Sequence, residues 1–288
     1  MPINILVLAG HRTEKITKPL ESAQANVSVI ELRQEAGFFA KHVLFLYKSL
    51  GYMVFNSPDI ILSKGANAVG MCAIFMGFLF RVPVIPRIAG DVIRINKEDV
   101  IYFKNKHKWI AMTKSVVRLL SDYFVVYFSH GVLVVSDHTK RQIAMMPGIS
   151  TDQIGVVRVP IASIDEKFGN SLTELDGNNN NTILTITNLS FHGKYRGVIE
   201  VIDSIADILE QKDATYIIAG GGRHLLDLKR YVRSSVPPNI KNNIVILGQI
   251  DNVMRYYTES DLFIYNSYID GYPNVILEAQ LSEIGRAS

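Results

Sequence analysis

The sequence predicts an α/β protein built from two doubly wound parallel sheets, each covered by helices on both faces. Short apolar runs alternate with longer helical patterns along the chain, which indicates parallel strands joined by crossover helices. The 288 residues are enough for two domains with separate cores. A polar stretch that ends in four asparagines interrupts the alternation. We therefore expect one domain over residues 1–165, a linker over 166–181 and a second domain over 182–288.

Ten short apolar segments are the candidate strands. They are Ile3–Ala9, Asn26–Leu32, Asp59–Ser63, Val82–Arg87, Gly131–Ser136, Gly155–Val159, Asn181–Thr187, Ala214–Ala219, Asn243–Gly248 and Asp261–Asn266. The clearest helical patterns are Glu35–Leu50, Ala66–Phe80, Trp109–Phe128 and Gly197–Glu210. Apolar residues of the last segment recur every three or four positions, which is the period of one buried helix face. Sheets of this kind bind ligands beyond the carboxyl ends of their strands.

Composition excludes several classes of protein. The net charge is only +3, which gives no argument for a nucleic-acid partner. Basic residues are dense between Lys97 and Arg118, a pattern that suits an anionic lipid surface, an acidic substrate or a solvated helix face. The single cysteine, Cys72, excludes an intramolecular disulfide framework. No signal-peptide pattern is visible, and the longest apolar run, Ala68–Phe80, is shorter than the roughly 20 residues of a membrane span. We expect a cytoplasmic protein for which peripheral membrane association remains open.

The segment DGYPNVILEA, Asp270–Ala279, has the pattern of a helix start that binds a ligand. Pro273 suits the first turn of a helix, because its missing N–H would be unpaired there. The N–H groups from Asn274 to Ile276 would then be free to bind phosphate or sugar oxygens. Gly271 allows the backbone to approach a ligand closely. The alternative is an ordinary capped helix with no ligand.

Two carboxylates flank this helix start. Asp270, before the helix, is placed to accept hydrogen bonds from sugar hydroxyls. Glu278, more than a turn into the helix, could reach the same site and bind a diol such as a ribose. Under the alternative interpretation, Asp270 lies near the N-cap and Glu278 faces solvent.

The second half of the chain resembles the nucleotide-binding domain of glycosyltransferase family 4, retaining enzymes of the GT-B fold. Four stretches match in order over Ile183–Ala279: ILTITNLSFHGKYRGVIEVIDSIADI, YIIAGGGRHLLDLKRYV, NIVILGQIDNVMRYYTESDLFIYNS and DLFIYNSYIDGYPNVILEA. The last is similar to the family motif of two glutamates separated by seven residues. Asp270 replaces the first of these glutamates, and Glu278 is the second.

The resemblance implies a site for a nucleotide sugar. Lys194 and Arg196, in the loop after the first strand of this domain, become candidates for binding the donor diphosphate, and fixed cations would stabilise the departing diphosphate. The implied catalytic residues are Asp270, Glu278, Lys194 and Arg196. The implied donor-binding residues are Asn188, Gly220, Gly221, Gly222, Gly271, Tyr272, Pro273 and Asn274. Two exposed basic residues and a plain strand-to-helix glycine turn are the alternatives.

The first half resembles the acceptor domain of the same family. GVLVVSDHTKRQIAM is similar to a strand followed by a helix that begins after a serine, here Ser136. VPVIPRIAGDVIRI is similar to a segment of that domain that faces the cleft. The candidates for acceptor-side contacts are Arg87, Gly90, Asp91 and either His11 or Arg12, with a structural role as the alternative for each.

The resemblance implies a retaining glycosyltransferase of the GT-B fold, in which two Rossmann-like domains face a cleft. It would move a sugar from a nucleotide donor to a hydroxyl of a glycan or lipid-linked acceptor, in polysaccharide, glycolipid or cell-envelope glycan synthesis. The resemblance also implies no cofactor beyond the donor substrate and no metal site, and the chain agrees with this in containing no Asp-x-Asp sequence. The family's second domain continues well beyond Glu278, so we expect this one to be incomplete. The alternatives are a truncated, non-catalytic nucleotide-binding fragment and a GT-B nucleotide-sugar epimerase.

Overall fold

Ten parallel strands form two sheets in the computed structural model of the protein, which describes residues 2–10, 13–32, 37–158, 181–212 and 214–284. The strands are β1 (Asn4–Ala9), β2 (Asn26–Glu31), β3 (Ile60–Lys64), β4 (Val84–Ile88), β5 (Val132–Val134), β6 (Ile154–Val156), β7 (Thr182–Ile186), β8 (Thr215–Ala219), β9 (Ile244–Gly248) and β10 (Leu262–Phe263). The first sheet has the order β2-β1-β3-β4-β5-β6 and the second β10-β7-β8-β9. The chain divides into two units, Met1–Ser163 and Ile164–Ser288.

Helices connect the strands in both units. In the first unit they are α1 (Glu14–Ser22), α2 (Phe38–Phe55), α3 (Ala68–Phe80), α4 (Val92–Asn105), α5 (Trp109–Phe128) and α6 (Asp137–Ala144), with a 3₁₀ turn at Thr151–Gln153. In the second unit they are α7 (His192–Ser204), α8 (Ala206–Gln211), α9 (Leu225–Ser235), α10 (Pro238–Lys241), α11 (Val253–Glu259) and α12 (Asn274–Leu281). No helix within the described ranges is long and apolar enough to cross a membrane.

The predicted parallel α/β architecture is confirmed. All ten predicted strands are present, although β10 has only two residues. The helix predicted at Trp109–Phe128 has the predicted bounds. The prediction of one helix over Gly197–Glu210 was wrong, because the structure has two helices, and the first begins at His192. Glycine lowers helix propensity, which explains why residues 192–196 do not look helical in the sequence.

The first sheet is buried on both faces. Alternate residues of β1 point to opposite sides: Leu6 and Leu8 contact the core beneath α2, α3, α5 and α6, whereas Ile5 and Val7 belong to a smaller cluster beneath α1. The predicted N-cap is also present, because the Ser136 hydroxyl accepts a hydrogen bond from the N–H group of Thr139 at 3.2 Å. The helices on both faces make this a doubly wound sheet.

The second sheet also carries a core on each face. Apolar residues of α7, α8 and α9 pack on one face, and those of α11 and α12 pack on the other. The chain runs from β7 through β8 to β9 and then returns to the other side of β7 as β10. The order of strands therefore reverses between β7 and β10. In open α/β sheets such a reversal separates the loops at the carboxyl edge and leaves a crevice for a ligand.

Candidate functional site

A cavity of about 450 Å³ opens at the carboxyl ends of β7, β8 and β9. Its volume is in the range of small-molecule sites. Its walls are Ile186, Thr187, Asn188, Ser190, Lys194, Ala219, Gly220, Gly221, Gly222, Gln249, Ile250, Val253 and Val275. Five residues predicted to bind the donor thus lie around one cavity: Asn188, Lys194 and the three consecutive glycines.

Main-chain hydrogen bonds hold the loops of this cavity together. The N–H group of Leu189 donates to the carbonyl oxygen of Gly221 at 2.9 Å, and that of Gly220 donates to the carbonyl oxygen of Gly248 at 2.7 Å. These bonds continue the parallel ladder beyond the ends of the strands. The floor of the cavity therefore consists largely of ordered backbone.

Glycine is required at two positions of this floor. Gly220 and Gly222 have φ values of +147° and +145°, which side-chain-bearing residues rarely adopt. A Cβ atom at Gly220 would lie 1.7 Å from the carbonyl oxygen of Thr187, and one at Gly222 would lie 2.2 Å from the nitrogen of Ser190. Close packing between the two loops therefore explains these glycines without any ligand. The same packing brings the backbone to the cavity surface.

An ion pair joins the loops at the reversal of strand order. Lys194, in the first turn of α7, places its Nζ atom 3.0 Å from Oδ2 of Asp270 in the loop after β10. The side chains are only 15% and 23% exposed, so solvent screens the pair weakly. The hydroxyl of Tyr265 donates a hydrogen bond to the same Asp270 oxygen. Burial, and next the Asp270 carboxylate, raise the pKa of Tyr265, so the phenol stays protonated and remains a donor.

Arg196 belongs to a different cluster. The sequence suggested that Lys194 and Arg196 form a pair in a loop, but both lie on α7, where residues two apart face different sides. The Nε atom of Arg196 lies 3.0 Å from Oε1 of Glu200, and its guanidinium lies 4.6 Å from the ring centroid of Tyr268. The Tyr268 hydroxyl donates to Glu200, and this hydrogen bond is the main cause that lowers the pKa of that carboxyl.

Helix α12 follows the loop that contains Asp270. Pro273 is its N-cap residue, and the N–H group of Ile276 donates to the Pro273 carbonyl oxygen at 3.3 Å. The prediction that this N–H group is unpaired was therefore wrong. Glu278 is half-buried, and one of its carboxylate oxygens accepts a hydrogen bond from the Tyr257 hydroxyl at 3.3 Å. Val275, one turn earlier on the same side of the helix, lines the cavity.

The other predicted residues of this segment occupy the approach to α12. Gly271 and Tyr272 are half-buried in the loop between β10 and α12. Asn274 is the first residue of the helix and is exposed. None of the three is among the residues that form the cavity walls.

The predicted acceptor-side residues lie in the first unit. Arg87, near the end of β4, is 6% exposed, and burial lowers its pKa. Asp91 is the N-cap of α4 and accepts a hydrogen bond from the N–H group of Arg94 at 2.9 Å. Asp91 also lines a second cavity, of about 370 Å³, between α4, α5 and α6. His11 and its alternative Arg12 lie outside the described residues.

Three polar residues of the second unit escaped the sequence analysis. Tyr265, which binds Asp270, is hidden in the apolar strand pattern DLFIYN, and no sequence signal marks its partner. Gln249 could have been found, because it follows the glycine that ends β9 and so had to lie at the carboxyl edge of the sheet. Glu200 could also have been found, because it is four residues after Arg196, the spacing of helical ion pairs.

No group of three or more His, Cys, Asp or Glu side chains capable of holding a metal ion occurs in the part of the chain that the structure describes. The polar groups around the cavity are one ammonium, two side-chain amides, two hydroxyls and backbone. Such a set suits an anionic or hydroxyl-rich ligand.

Known proteins match this unit and this fold. Residues 180–284 match the family model described as Glycosyl transferases group 1. The matched region contains the cavity and the Lys194–Asp270 pair. No curated protein matches the sequence significantly.

Solved structures match nearly the whole chain. HepE of Anabaena, solved in complex with UDP, is 15% identical, and the match covers 98% of this chain and 79% of HepE with a TM-score of 0.58. A lipopolysaccharide outer core galactosyltransferase, WaaB, is 15% identical over 97% of this chain and 78% of its own, with a TM-score of 0.53. The UDP-GlcNAc 2-epimerase of Methanocaldococcus jannaschii is 13% identical, and the match covers 97% of this chain and 82% of the epimerase with a TM-score of 0.55. The two Rossmann-like sheets therefore match the GT-B fold.

Proposed function

We propose that the protein is a retaining glycosyltransferase that transfers a hexose from a nucleotide sugar to an acceptor hydroxyl. One observation carries the proposal: a largely buried ammonium–carboxylate pair lies beside a ligand-sized cavity, at the strand-order reversal of a domain that matches glycosyl transferases group 1. Such a pair offers a cation for a diphosphate and an acceptor of hydrogen bonds for a sugar.

The proposed reaction breaks the bond between the sugar C1 atom and the diphosphate oxygen. A new bond forms from C1 to the acceptor oxygen on the same face of the sugar, and the proton of the acceptor hydroxyl passes to the departing diphosphate. Lys194 stabilises the charge that grows on the diphosphate as the bond breaks. Asp270 holds the Lys194 side chain in place before the donor binds and accepts hydrogen bonds from sugar hydroxyls afterwards.

The remaining donor contacts follow the walls of the cavity. The backbone of Gly221 and the side chain of Asn188 line the same cavity as Lys194. Glu278 lies one helical turn after the cavity residue Val275. We assign Glu278 to the ribose, because a carboxylate binds a vicinal diol with two hydrogen bonds. UDP-sugars are the first donors to test, since HepE was solved with UDP and also with UDP and glucose.

The acceptor side is assigned to the first unit. Arg87 and Asp91 are the described candidates there, and a glycan or lipid-linked acceptor is proposed. Polysaccharide, glycolipid or cell-envelope glycan synthesis at the cytoplasmic side of a membrane would use such a reaction. The donor requires no further cofactor in this scheme.

A donor screen tests the proposal. The protein is incubated with a panel of nucleotide sugars and candidate acceptors, and released nucleoside diphosphate and glycosylated product are measured by mass spectrometry. We expect one donor to release its diphosphate, with the anomeric configuration retained in the product by NMR. Release from no donor, or inversion at C1, contradicts the proposal. A protein that binds nucleoside diphosphate without turnover would instead be the non-catalytic binding module.

An epimerase is the second candidate, because the 2-epimerase of M. jannaschii matches this fold over a similar share of both chains. The two activities differ in their need for an acceptor. An epimerase converts UDP-GlcNAc to its 2-epimer with no acceptor present, whereas a transferase needs an acceptor to form its product. NMR of the sugar nucleotide after incubation with protein alone distinguishes them.

A further inference from the structure

Three neighbouring helices of the first unit expose an apolar surface. Helices α2, α3 and α5 cover the same face of the first sheet, and α3 packs against both others. Their inner sides supply core residues, but their outer sides are apolar as well. Exposed members include Tyr47, Phe55, Phe75, Phe78, Ile110 and Leu120. Phe78 and Phe55 are 87% and 86% exposed, so these rings contact almost no protein.

Helix α3 shows that this exposure is systematic. Its sequence, AVGMCAIFMGFLF, contains no charged residue. A helix that is apolar on all sides is normally buried on all sides, yet Phe75, Phe78 and Leu79 are at least half exposed. Contiguous apolar surface of this kind on a folded protein marks an interaction site. We call the outer surface of α2, α3 and α5 the apolar face.

The exposed charged residues of α2, α3 and α5 are all basic. Asp122 is the single acidic residue of the three helices, and it is 3% exposed. Lys48, Lys114 and Arg118 are exposed on the same helices. Exposed basic residues also lie at their ends. Arg81 follows α3, Lys104 lies in the last turn of α4, and Lys106 and Lys108 lie in the turn between α4 and α5. The neighbouring α4 carries Glu98, but that carboxylate is paired with Arg94 at 3.2 Å.

We propose that the apolar face binds the surface of an anionic phospholipid bilayer. The helices would lie in the plane of the membrane, with aromatic and aliphatic side chains at the headgroup–acyl boundary and basic residues on lipid phosphates. Trp109 begins α5 beside Lys108 and is 58% exposed. Tryptophan between lysines and an apolar helix is the arrangement found at membrane interfaces.

A second copy of the chain fits this face less well. A two-fold symmetric dimer would bring the same surface of both copies together. Basic residues around the face of one copy would then lie near basic residues of the other copy and repel them. An anionic surface satisfies both the apolar centre and the basic periphery. This inference rests on the first unit alone and does not depend on the proposed sugar transfer.

Intrinsic fluorescence gives a direct test, because Trp109 is the only tryptophan of the chain. The full chain is titrated with phosphatidylcholine vesicles that contain or lack phosphatidylglycerol, and binding is also measured by cosedimentation. With phosphatidylglycerol present we expect a blue shift of the Trp109 emission and sedimentation with the vesicles, weakened by salt. With phosphatidylcholine alone we expect much weaker binding.

Three variants separate the contributions. Phe78→Ser with Ile110→Ser should abolish the blue shift and sedimentation. Lys106→Gln with Lys108→Gln should weaken binding by about fivefold for each lysine removed, because a basic residue near an anionic surface contributes about 1 kcal/mol. Leu226→Ser is the matched control, since Leu226 is 71% exposed on α9 of the second unit, and this variant should bind as the wild type does. Far-ultraviolet circular dichroism checks the folding of each variant.

Several outcomes overturn the proposal. These are the absence of wild-type binding to anionic vesicles, equal binding by the control and the lysine variant, and a dimer in sedimentation velocity that Phe78→Ser dissociates. The last would assign the face to a second copy. The lysine variant decides the question by itself if the double apolar variant misfolds, because removing exposed lysines leaves the core unchanged.

Discussion

Replacing Lys194 with alanine removes the ammonium that lies 3.0 Å from Asp270 beside the cavity. If this ammonium binds the donor diphosphate, the variant loses a charge-assisted hydrogen bond, which is worth about 1.5–3 kcal/mol. Since 1.4 kcal/mol corresponds to a tenfold change in affinity, the Kd for UDP should rise by about tenfold to about 150-fold. The product-forming rate should fall further, because the charge on the diphosphate grows as the bond breaks.

Removing Lys194 should also lower the stability of the fold. The pair is neither exposed nor fully buried, so its loss should cost about 2 kcal/mol, between the values typical of the two extremes. Asp270 keeps the hydrogen bond from Tyr265 in the variant. Thermal unfolding should therefore show a Tm lowered by a few degrees and a cooperative transition.

Arg196→Ala is the matched control for this experiment. Arg196 is a basic residue of the same helix, two positions away, but its partners are Glu200 and the Tyr268 ring. Isothermal titration calorimetry with UDP is carried out on both variants and on the wild type. A Kd that rises as much for Arg196→Ala as for Lys194→Ala refutes the assignment, as does an unchanged Kd for Lys194→Ala. Wild-type protein that binds no nucleoside diphosphate would contradict the proposed function itself.

Three further predictions concern binding and stability. Glu278→Ala should weaken UDP binding more than Asp270→Ala does, because UDP contains a ribose but no donor sugar, and calorimetry showing the reverse order would exchange the two roles. Burial raises the pKa of Asp122 to about 6 from 3.8, so between these pH values the folded state holds a proton that the unfolded state releases, and stability falls as pH rises from about 4 to 6. Asp122→Asn should remove this loss and stabilise the protein at pH 8 by about 2–3 kcal/mol. An unchanged dependence of Tm on pH in the variant would contradict this prediction. Gly220→Ala should lower the free energy of unfolding in urea by at least about 2 kcal/mol, because its Cβ would lie 1.7 Å from a carbonyl oxygen. Gly51→Ala is the control: no atom lies within 4 Å of the added Cβ, so this variant should be neutral or slightly stabilising.

Sequence reasoning located the strands and the edge of the sheet where the cavity lies. Buried parallel strands are continuous apolar runs, so β1 and β7 are visible without any tertiary information. The resemblance to glycosyltransferase family 4 then implied Asn188, Lys194 and the glycines from Gly220 onward as donor-binding residues, at the edge of the sheet where ligands of such folds bind. These residues do surround one cavity in the structure.

The directions of side chains could not be predicted in the same way. Which of Lys194 and Arg196 lies beside the cavity depends on where α7 begins, and the start at His192 is set by tertiary packing. A Cβ at Gly197 would lie 2.1 Å from the carbonyl oxygen of Asn266, so the helix fits there only because this residue is glycine. In the sequence Gly197 lowers the predicted helix propensity, whereas in the fold it allows α7 to pack closely against the backbone of Asn266.

Residues around the cavity are of two kinds for the engineering of donor preference: glycines that form the backbone floor, and residues whose side chains line the rim. Substitutions at Gly220 or Gly222 disturb the shape of the floor, because each carries a conformation or a contact that only glycine allows. Gln249 lines the same cavity from its rim, and its backbone does not adopt a positive φ. A library restricted to rim positions should therefore yield many folded proteins with changed nucleotide selectivity, and one directed at the floor should yield few.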